Sequence, residues 1–271
     1  MKSRPPRDKS RNRLLERFHM AVDHADRARA RTLLDRIESE RQDAETAFAR
    51  WRFLAGGEDI ETALKTITED AGRFASDPDL QRALGWTLGE CGRSAEAEAP
   101  LLRAVKIDPD FADAWHDLAL AREALGNFDG MQEAFARVYA LDTAEDQQPT
   151  RFEPEQVLKW ANHAIAALPA SVQNVIPQLP IFVQDYPDDW IIEESPYDPR
   201  LLGLFDGPTY AEVHGSDTGG VNAHIYLYQR NLERVCPGPR EMAEQVRITL
   251  HHEVGHFLGL DEAELHDRGL G

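Results

Sequence analysis

The feature that most constrains the fold of this chain is an internal repeat with a period of 34 residues. When the sequence of 271 residues is shifted by 34 positions, chemically similar residues coincide between residues 84 and 142. The matched pairs are Leu84 with Leu118, Gly85 with Ala119, Gly92 with Gly126, Leu101 with Phe135, Ala104 with Val138, Ile107 with Leu141, and Asp108 with Asp142. A repeat of this length is one supersecondary unit, which buries its apolar face only by stacking against its neighbours.

The pattern resembles the tetratricopeptide (TPR) repeat, in which each unit is a pair of helices. The signature positions of the second copy are occupied by Trp115, Leu118, Ala119 and Gly126. Small residues let the paired helices approach each other, and a glycine turns the chain between them. A weaker third copy is expected at about 44–77. The sequence therefore predicts an α-helical, TPR-like module over residues 11–143, which is clearest at 78–143.

The segments that flank this module differ from it in composition. Residues 1–10 are basic and lack apolar anchors, which predicts a disordered leader, and the polar residues 144–151 predict a linker. Beyond the linker the patterns predict helices at 152–168, 239–258 and 262–268, and short strands at 181–183, 201–205 and 224–228. Helices with sparse strands indicate an α+β domain over 152–271. The predicted fold class is thus an α-helical module followed by an α+β domain.

The predicted long helix near the C-terminus carries a spacing that indicates metal chemistry. His252 and His256 lie four residues apart, so both side chains share one helix face and can bind a single ion. Glu253 follows the first histidine, and this H-E-x-x-H spacing is typical of zinc peptidases. In such sites zinc acidifies a water molecule and a carboxylate removes its proton. We therefore expect a Zn²⁺ site with Glu253 as the catalytic base.

A helical wheel separates the expected metal face from the core face of this helix. His256 lies about 40° from His252, whereas His251 lies about 100° away and is excluded from the metal. The far side of the wheel is apolar and contains Ala243, Val246, Leu250, Val254 and Phe257.

A catalytic zinc ion needs a third protein ligand, which we expect just beyond the helix. Gly259 stands where the helix should end in a left-handed turn that returns the chain to the metal. Glu262 lies ten residues after His252, the spacing of the third ligand in metzincins, and is favoured. Asp261 is the alternative.

From about residue 152 to the end, the chain resembles a family of small bacterial zincin-like metallopeptidases with an H-E-x-x-H-x-x-G motif. The matching stretches are 202–207, 224–230, 244–250, 252–256 and 265–266. The resemblance implies a minimal zincin fold, with a small twisted sheet over the active-site helix and the metal in the cleft between them. Members often carry aspartate at the third-ligand position, where this chain has Glu262.

In such a fold, the strand nearest the cleft is expected to offer an open edge to an extended peptide. We assign this role to residues 224–228. The oxyanion also needs a hydrogen-bond donor, and the candidates are His224, Tyr226, Tyr228 and His266.

Composition limits the classes of partner. The net charge of −18 describes an acidic body that repels nucleic acid and anionic membranes. No apolar run approaches the roughly 18 residues that a membrane span needs. Cys91 and Cys236 do not make a disulfide framework, so a reducing, cytoplasmic location is expected. We expect neither a nucleic-acid nor a membrane partner.

Together these features predict a zinc-dependent metallopeptidase that hydrolyses a peptide or protein substrate, with a TPR-like module that binds a protein partner. For the module alone, a structural brace or a dimerisation surface is the alternative role. For the whole chain, the alternative is a TPR scaffold or adaptor whose zincin-like domain binds metal but has weak or no activity.

Overall fold

The computed structural model describes residues 9–57, 59–145, 149–176, 179–194, 197–215 and 223–267. The chain divides into two units, Met1–Leu141 and Asp142–Gly271. The predicted leader at 1–10 lies outside the described residues except for Lys9 and Ser10, which begin the first helix. Residues 146–148 of the predicted linker also lie outside them.

The first unit consists of helices that follow the period found in the sequence. They are α1 (Lys9–Asp23), α2 (Arg27–Glu40), α3 (Ala44–Ala55), α4 (Ile60–Arg73), α5 (Pro78–Glu90), α6 (Ser94–Ile107), α7 (Ala112–Ala124) and α8 (Phe128–Glu145). Helices α3, α5 and α7 begin at 44, 78 and 112, and α4, α6 and α8 begin at 60, 94 and 128. Each step is 34 residues, so the weaker copy at 44–77 is a helix pair like the other two. A further pair, α1 and α2, precedes it.

Glycines at repeat positions set how closely the paired helices pack. A Cβ atom added to Gly85 of α5 would collide with the Leu101 side chain of α6, so this contact requires glycine. Gly92 and Gly126 join the helices of two successive pairs with φ of 69° and 70°. Only glycine adopts this left-handed conformation without strain. The repeated glycines seen in the sequence therefore mark close packing and tight turns.

The second unit contains helices around a small sheet. Its helices are α9 (Pro154–Ala166), α10 (Ala170–Gln173), α11 (Asp189–Glu194), α12 (Tyr210–Gly215), α13 (Gln229–Val235), α14 (Pro239–Phe257) and α15 (Glu262–Asp267). Its strands are β1 (Ile181–Gln184), β2 (Gly203–Asp206) and β3 (His224–Tyr228). Among the described residues the strand order is β1-β3-β2, with β1 parallel and β2 antiparallel to β3. Helices α10 to α13 have at most seven residues each, too few to show helical periodicity in the sequence.

The core of the second unit lies between one face of the sheet and helices α9 and α14. Ile225 and Leu227 of β3 are fully buried there. The helices contribute Val157 and Ala161 from α9, and Val246, Leu250 and Val254 from α14. Val246, Leu250 and Val254 belong to the apolar side of the helical wheel. Because that side packs into the core, the opposite face of α14, which carries the two histidines, points away from the core.

The predicted fold class, a helical TPR-like module followed by an α+β domain, is confirmed. Within the described part of the chain, no helix has the length and apolar character that crossing a membrane requires.

Candidate metal centre and catalytic base

The two predicted metal-binding histidines lie near the end of α14, which begins with Pro239. Proline suits this first position because the first N–H groups of a helix have no helical partner. The Nε2 atoms of His252 and His256 are 3.0 Å apart. The four-residue spacing thus brings two donor atoms together on the face of α14 opposite the core.

Glu262 brings a third donor atom to the same place. Its Oε1 lies 3.2 Å from His256 Nε2 and 3.7 Å from His252 Nε2. Zinc bonds of about 2.0–2.1 Å in a tetrahedral arrangement put neighbouring donors roughly 3.3 Å apart. The three observed separations lie around that distance. Two imidazoles and one carboxylate are also a donor set of catalytic zinc sites, so these residues fit one zinc ion.

A tight turn after α14 carries Glu262 to the histidines. Gly259 has φ of 86°, and the Leu260 N–H donates to Gly255 O at 3.0 Å, which closes the helix end. Gly255 lets α15 approach, because a Cβ atom there would collide with the buried Leu265 side chain. The turn also places Leu260 O 3.2 Å from His256 Nδ1. A proton on Nδ1 would leave Nε2 free to bind metal.

Asp261, the alternative third ligand, has a different position. Its Oδ1 accepts from the Glu264 N–H at 2.9 Å, while Glu264 Oε2 accepts from the Asp261 N–H at 3.1 Å. This reciprocal pair is a capping box at the start of α15. The carboxylate of Asp261 therefore caps the helix, whereas that of Glu262 lies beside the histidines.

Glu253 follows His252 on α14 and is only 7% exposed. Its Oε2 accepts from the Phe205 N–H of β2 at 2.7 Å. The strand approaches this closely because of Gly203, where an added Cβ would lie 2.6 Å from Thr249 Cγ2 and 3.3 Å from Glu253 Cγ. The contact holds one carboxylate oxygen in place by a backbone donor.

Burial raises the pKa of Glu253 above its usual value. The charges of His252 and His256 and the hydrogen bond from Phe205 oppose this rise, while the negative charge of Glu262 adds to it. The net direction is upward because desolvation of the carboxylate is the largest effect.

His251 lies outside the metal cluster, as the helical wheel predicted. Its Nε2 is 3.3 Å from Ala164 O of α9, and its Nδ1 is 3.4 Å from Arg247 Nη1. This ring therefore contacts α9 on another side of α14.

The prediction that residues 224–228 form an open edge is wrong. Among the strands of the described residues, β3 is central and pairs on both sides, whereas β2 lies at an edge of the sheet. A cavity of about 520 Å³ adjoins β2 and the histidines. Its wall includes Gly203, Leu204 and Phe205 of β2, together with His252, Glu253, His256 and Glu262. The strand beside the candidate centre is thus β2.

The four residues considered for the oxyanion do not line this cavity. Tyr226 stacks between Phe182 and Tyr228 on the sheet, with ring centroids 5.7 and 6.4 Å away. Tyr228 is fully buried, which raises the pKa of its hydroxyl, and His224 is packed against Phe182. His266 is exposed on α15.

Tyr197 does line the cavity, and sequence reasoning missed it. It lies in an irregular segment before β2, where no periodicity distinguishes a functional tyrosine from a packing one. The residue is 45% exposed, so it is accessible from solvent.

Comparisons with known proteins agree with this description. Residues 176–270 match the family model of the zincin-like metallopeptidases. None of the curated proteins compared with the chain matches it in sequence. Among solved structures, the chain is similar to several structures of MamA. It is 14% identical to one MamA crystal structure, with a TM-score of 0.41 over 58% of this chain and 81% of that chain. It is 16% identical to the MamA RS-1 ArsTM double mutant, with a TM-score of 0.42 over 52% of this chain and 80% of that chain. The family match and the 34-residue helix pairs of the first unit show a zincin-like domain preceded by TPR-like repeats.

Proposed function

We propose that this protein is a zinc-dependent metallopeptidase in which His252, His256 and Glu262 hold the metal and Glu253 is the general base. The observation that carries this proposal is the convergence of three donor atoms beside a buried carboxylate in one cavity. Exposed acidic clusters without such a base are common on acidic proteins. Burying a carboxylate costs desolvation energy, and buried ionisable groups of this kind cluster at functional sites.

The chemistry divides between the metal and the chain. When bound, zinc supplies a Lewis acid that polarises the peptide carbonyl and lowers the pKa of a water molecule. Glu253 removes a proton from the attacking water and later transfers it to the nitrogen of the leaving amine.

The hydrogen bond to Phe205 divides the roles of the two carboxylate oxygens of Glu253. Oε2 is held by the strand, which leaves Oε1 as the oxygen that receives the proton. A fixed base loses less orientational freedom in the reaction than a mobile one.

We propose that the peptide lies extended along β2. This strand pairs with β3 on one side, and three of its residues line the cavity on the other. Because the Phe205 N–H already donates to Glu253, a peptide would pair with the other outward-facing backbone groups of this strand. Tyr197 is the hydroxyl we assign to the developing oxyanion, because it is an accessible donor in the cavity wall.

The TPR-like module is proposed to bind a protein partner, either the substrate or an assembly factor. Its stacked helix pairs support this role, since such arrays present extended surfaces. The cytoplasmic location stays a prediction.

A proteome-wide cleavage screen tests the proposal. Cell lysate is incubated with the wild-type protein or with Glu253→Gln, and new peptide termini are identified by mass spectrometry. We expect wild-type-specific termini that disappear in Glu253→Gln, while both proteins keep their zinc. Identical termini from the two proteins would support the scaffold alternative.

A further inference from the structure

The sheet of the second unit has one face packed into the core and a second face on the opposite side. Side chains alternate between the two faces along each strand, and Ile225 and Leu227 of β3 point into the core with α9 and α14. The strand register places the following residues together on the opposite face, which we call the outer sheet face: Phe182 and Gln184 of β1, Leu204 and Asp206 of β2, and His224, Tyr226 and Tyr228 of β3.

Aromatic rings form a continuous stack on the outer sheet face. The centroid of the Phe182 ring lies 5.7 Å from that of Tyr226 and 5.5 Å from that of His224. Tyr226 in turn stacks on Tyr228, with the centroids 6.4 Å apart and the ring planes 8° from parallel. Tyr228 is fully buried, whereas Phe182 is 44% exposed. The stack is therefore covered at the Tyr228 end and open at the Phe182 end.

The open end of the stack differs from an ordinary solvated sheet face, which carries polar side chains. Single exposed apolar residues are common on protein surfaces, but contiguous exposed apolar groups mark sites of interaction. Phe182 belongs to the second kind, because its ring contacts two other rings. These contacts also hold the ring in place, so a partner that covers it loses little side-chain freedom. The open end is thus a candidate docking surface.

Two carboxylates border this open end. Asp206 is the cross-strand neighbour of His224, so its side chain lies on the same face. Burial raises the pKa of the Tyr226 hydroxyl, and the negative charges of Asp206 and Asp188 raise it further. Both carboxylates therefore act electrostatically on the aromatic stack.

The two carboxylates differ from the nearby Asp185, which follows β1 and pairs with Arg230 at 3.5 Å. Within the part of the chain that the structure describes, Asp188 and Asp206 form no such pair with a lysine or arginine. Asp188 is exposed and Asp206 is half-buried. Their negative charge is therefore available to a partner.

An aromatic ring and a carboxylate share one kind of ligand, a cation. The face of a ring is the negative part of its quadrupole and attracts the Lys or Arg side chain within about 6 Å of the centroid. Arginine fits better than lysine, because its planar guanidinium stacks on rings and is less strongly hydrated. A sheet face covers a cation on one side only, so further contacts must come from the chain that carries it. The net charge of −18 also favours a basic polypeptide.

We propose that the outer sheet face is a docking site for an arginine-containing segment of a protein partner. The guanidinium group lies on the exposed ring of Phe182, and Asp188 and Asp206 supply the negative charge. These three residues do not line the cavity at the candidate metal centre, so the docking site is separate from it. The inference goes beyond the proposed peptidase function and does not depend on it.

The test measures the binding of labelled peptides to the full-length protein by fluorescence anisotropy. Every protein also carries Glu253→Gln, so that peptidase activity does not remove the peptides. One peptide has spaced arginines in a Gly-Ser background, and its partner has citrulline, a neutral analogue of arginine, at the same positions.

Phe182→Ala and Asp206→Asn alter the docking site. Asp206→Asn keeps the shape of the side chain, so its effect reports the charge rather than the fold. The matched controls are Val235→Ala, which removes an apolar side chain that is 55% exposed on α13, and Glu155→Gln, which removes an exposed charge on α9. Helix α9 packs on the core side of the sheet, away from the outer sheet face.

We expect the arginine peptide to bind at least about tenfold more tightly than the citrulline peptide, because several cation contacts are lost together. Phe182→Ala and Asp206→Asn should each weaken binding of the arginine peptide about threefold to fivefold, as exposed cation–ring and ion-pair contacts do. Val235→Ala and Glu155→Gln should bind this peptide like the parent protein.

Equal binding of the two peptides, or unchanged binding in both Phe182→Ala and Asp206→Asn, overturns the proposal. Equal losses in Asp206→Asn and Glu155→Gln would reveal a general attraction to the acidic protein and would overturn it as well. A neutral oligosaccharide, maltohexaose, is tested by calorimetry, because aromatic faces also stack on sugars. Sugar binding that Phe182→Ala abolishes, without selectivity for arginine, would replace the protein partner with a carbohydrate.

Discussion

The backbone N–H of Phe205 donates to Oε2 of Glu253 across 2.7 Å. This bond joins the edge strand β2 to the active-site helix α14. The strand that we propose as the peptide platform therefore also fixes the residue that we propose as the general base. Positions that control how closely β2 and α14 approach should affect catalysis without touching the metal.

Gly203 is the first such position. In Gly203→Ala the new Cβ would lie 2.6 Å from Thr249 Cγ2 and 3.0 Å from Tyr226 O, so the strand or the helix must shift. Misplacement of a catalytic group by about 1 Å can cost roughly 100-fold in rate. We expect kcat/KM to fall by about that factor while the zinc content is unchanged. Gly89→Ala on α5 is the control, because its Cβ meets nothing within 4 Å. Equal activity of the Gly203→Ala variant and the wild type would refute this coupling.

Glu262 and Asp261 should differ in their effect on the metal. Glu262→Ala removes the donor that lies 3.2 Å from His256 Nε2, so zinc affinity should fall by at least about tenfold. Asp261→Asn keeps a good helix cap and should retain zinc at the wild-type level. Competition with a fluorescent chelator measures both affinities. The opposite order would make Asp261 the ligand.

Tyr197→Phe removes a hydroxyl from the cavity wall without changing the ring. If this hydroxyl stabilises the oxyanion, kcat should fall by about 100-fold or more, with little change in KM. Tyr226→Phe is the matched control, since that ring stacks on the sheet. A change confined to KM would assign Tyr197 to substrate binding.

The first unit should lose stability in acid through Asp43. This residue caps α3 by accepting from the Thr46 N–H at 3.0 Å, and Arg11 Nη2 donates to it at 2.8 Å. Burial alone would raise the pKa of Asp43, but the hydrogen bonds from Thr46 and the charge of Arg11 outweigh it and lower the pKa.

A carboxyl whose pKa is lower in the folded state stabilises the fold above its unfolded pKa of about 3.9, and this contribution is lost as pH falls through the folded value. Urea unfolding between pH 6 and pH 3 should therefore show a smaller loss of stability for Asp43→Asn than for the wild type. Asparagine keeps the cap, so the comparison isolates the charge. If the free energy of unfolding fell by the same amount with pH in both proteins, the charge of Asp43 would not contribute to the acid sensitivity.

The features that the sequence predicts are those fixed by residues close together in the chain. The helix pairs were predictable because a 34-residue period repeats glycines and small residues at fixed contacts, such as Gly85 against Leu101. His252, Glu253 and His256 were predictable because helix geometry alone fixes their relative positions. Glu262 required one further step, the left-handed turn at Gly259, which glycine signals.

The edge strand and Tyr197 depend on tertiary pairing instead. Strands β1 and β2 have four residues each, and nothing in such short segments indicates which of them pairs with β3. The strongest strand pattern, at β3, belongs to the central strand, which pairs with a strand at each of its two edges. Tyr197 reaches the cavity only through the path of an irregular segment. The sequence thus located the candidate metal-binding residues but not the strand that lines the cavity beside them.

The most direct test of the central claim is a zinc titration followed by activity. The protein is freed of metal with a chelator, and zinc is returned in steps while binding and peptide cleavage are measured together. The wild type should bind one zinc ion per chain, and its cleavage rate should rise to a plateau at that point. Glu253→Gln should bind zinc equally well and stay inactive. Cleavage by Glu253→Gln at the wild-type rate, or cleavage independent of zinc, would contradict a mechanism in which Glu253 is the base at a zinc centre.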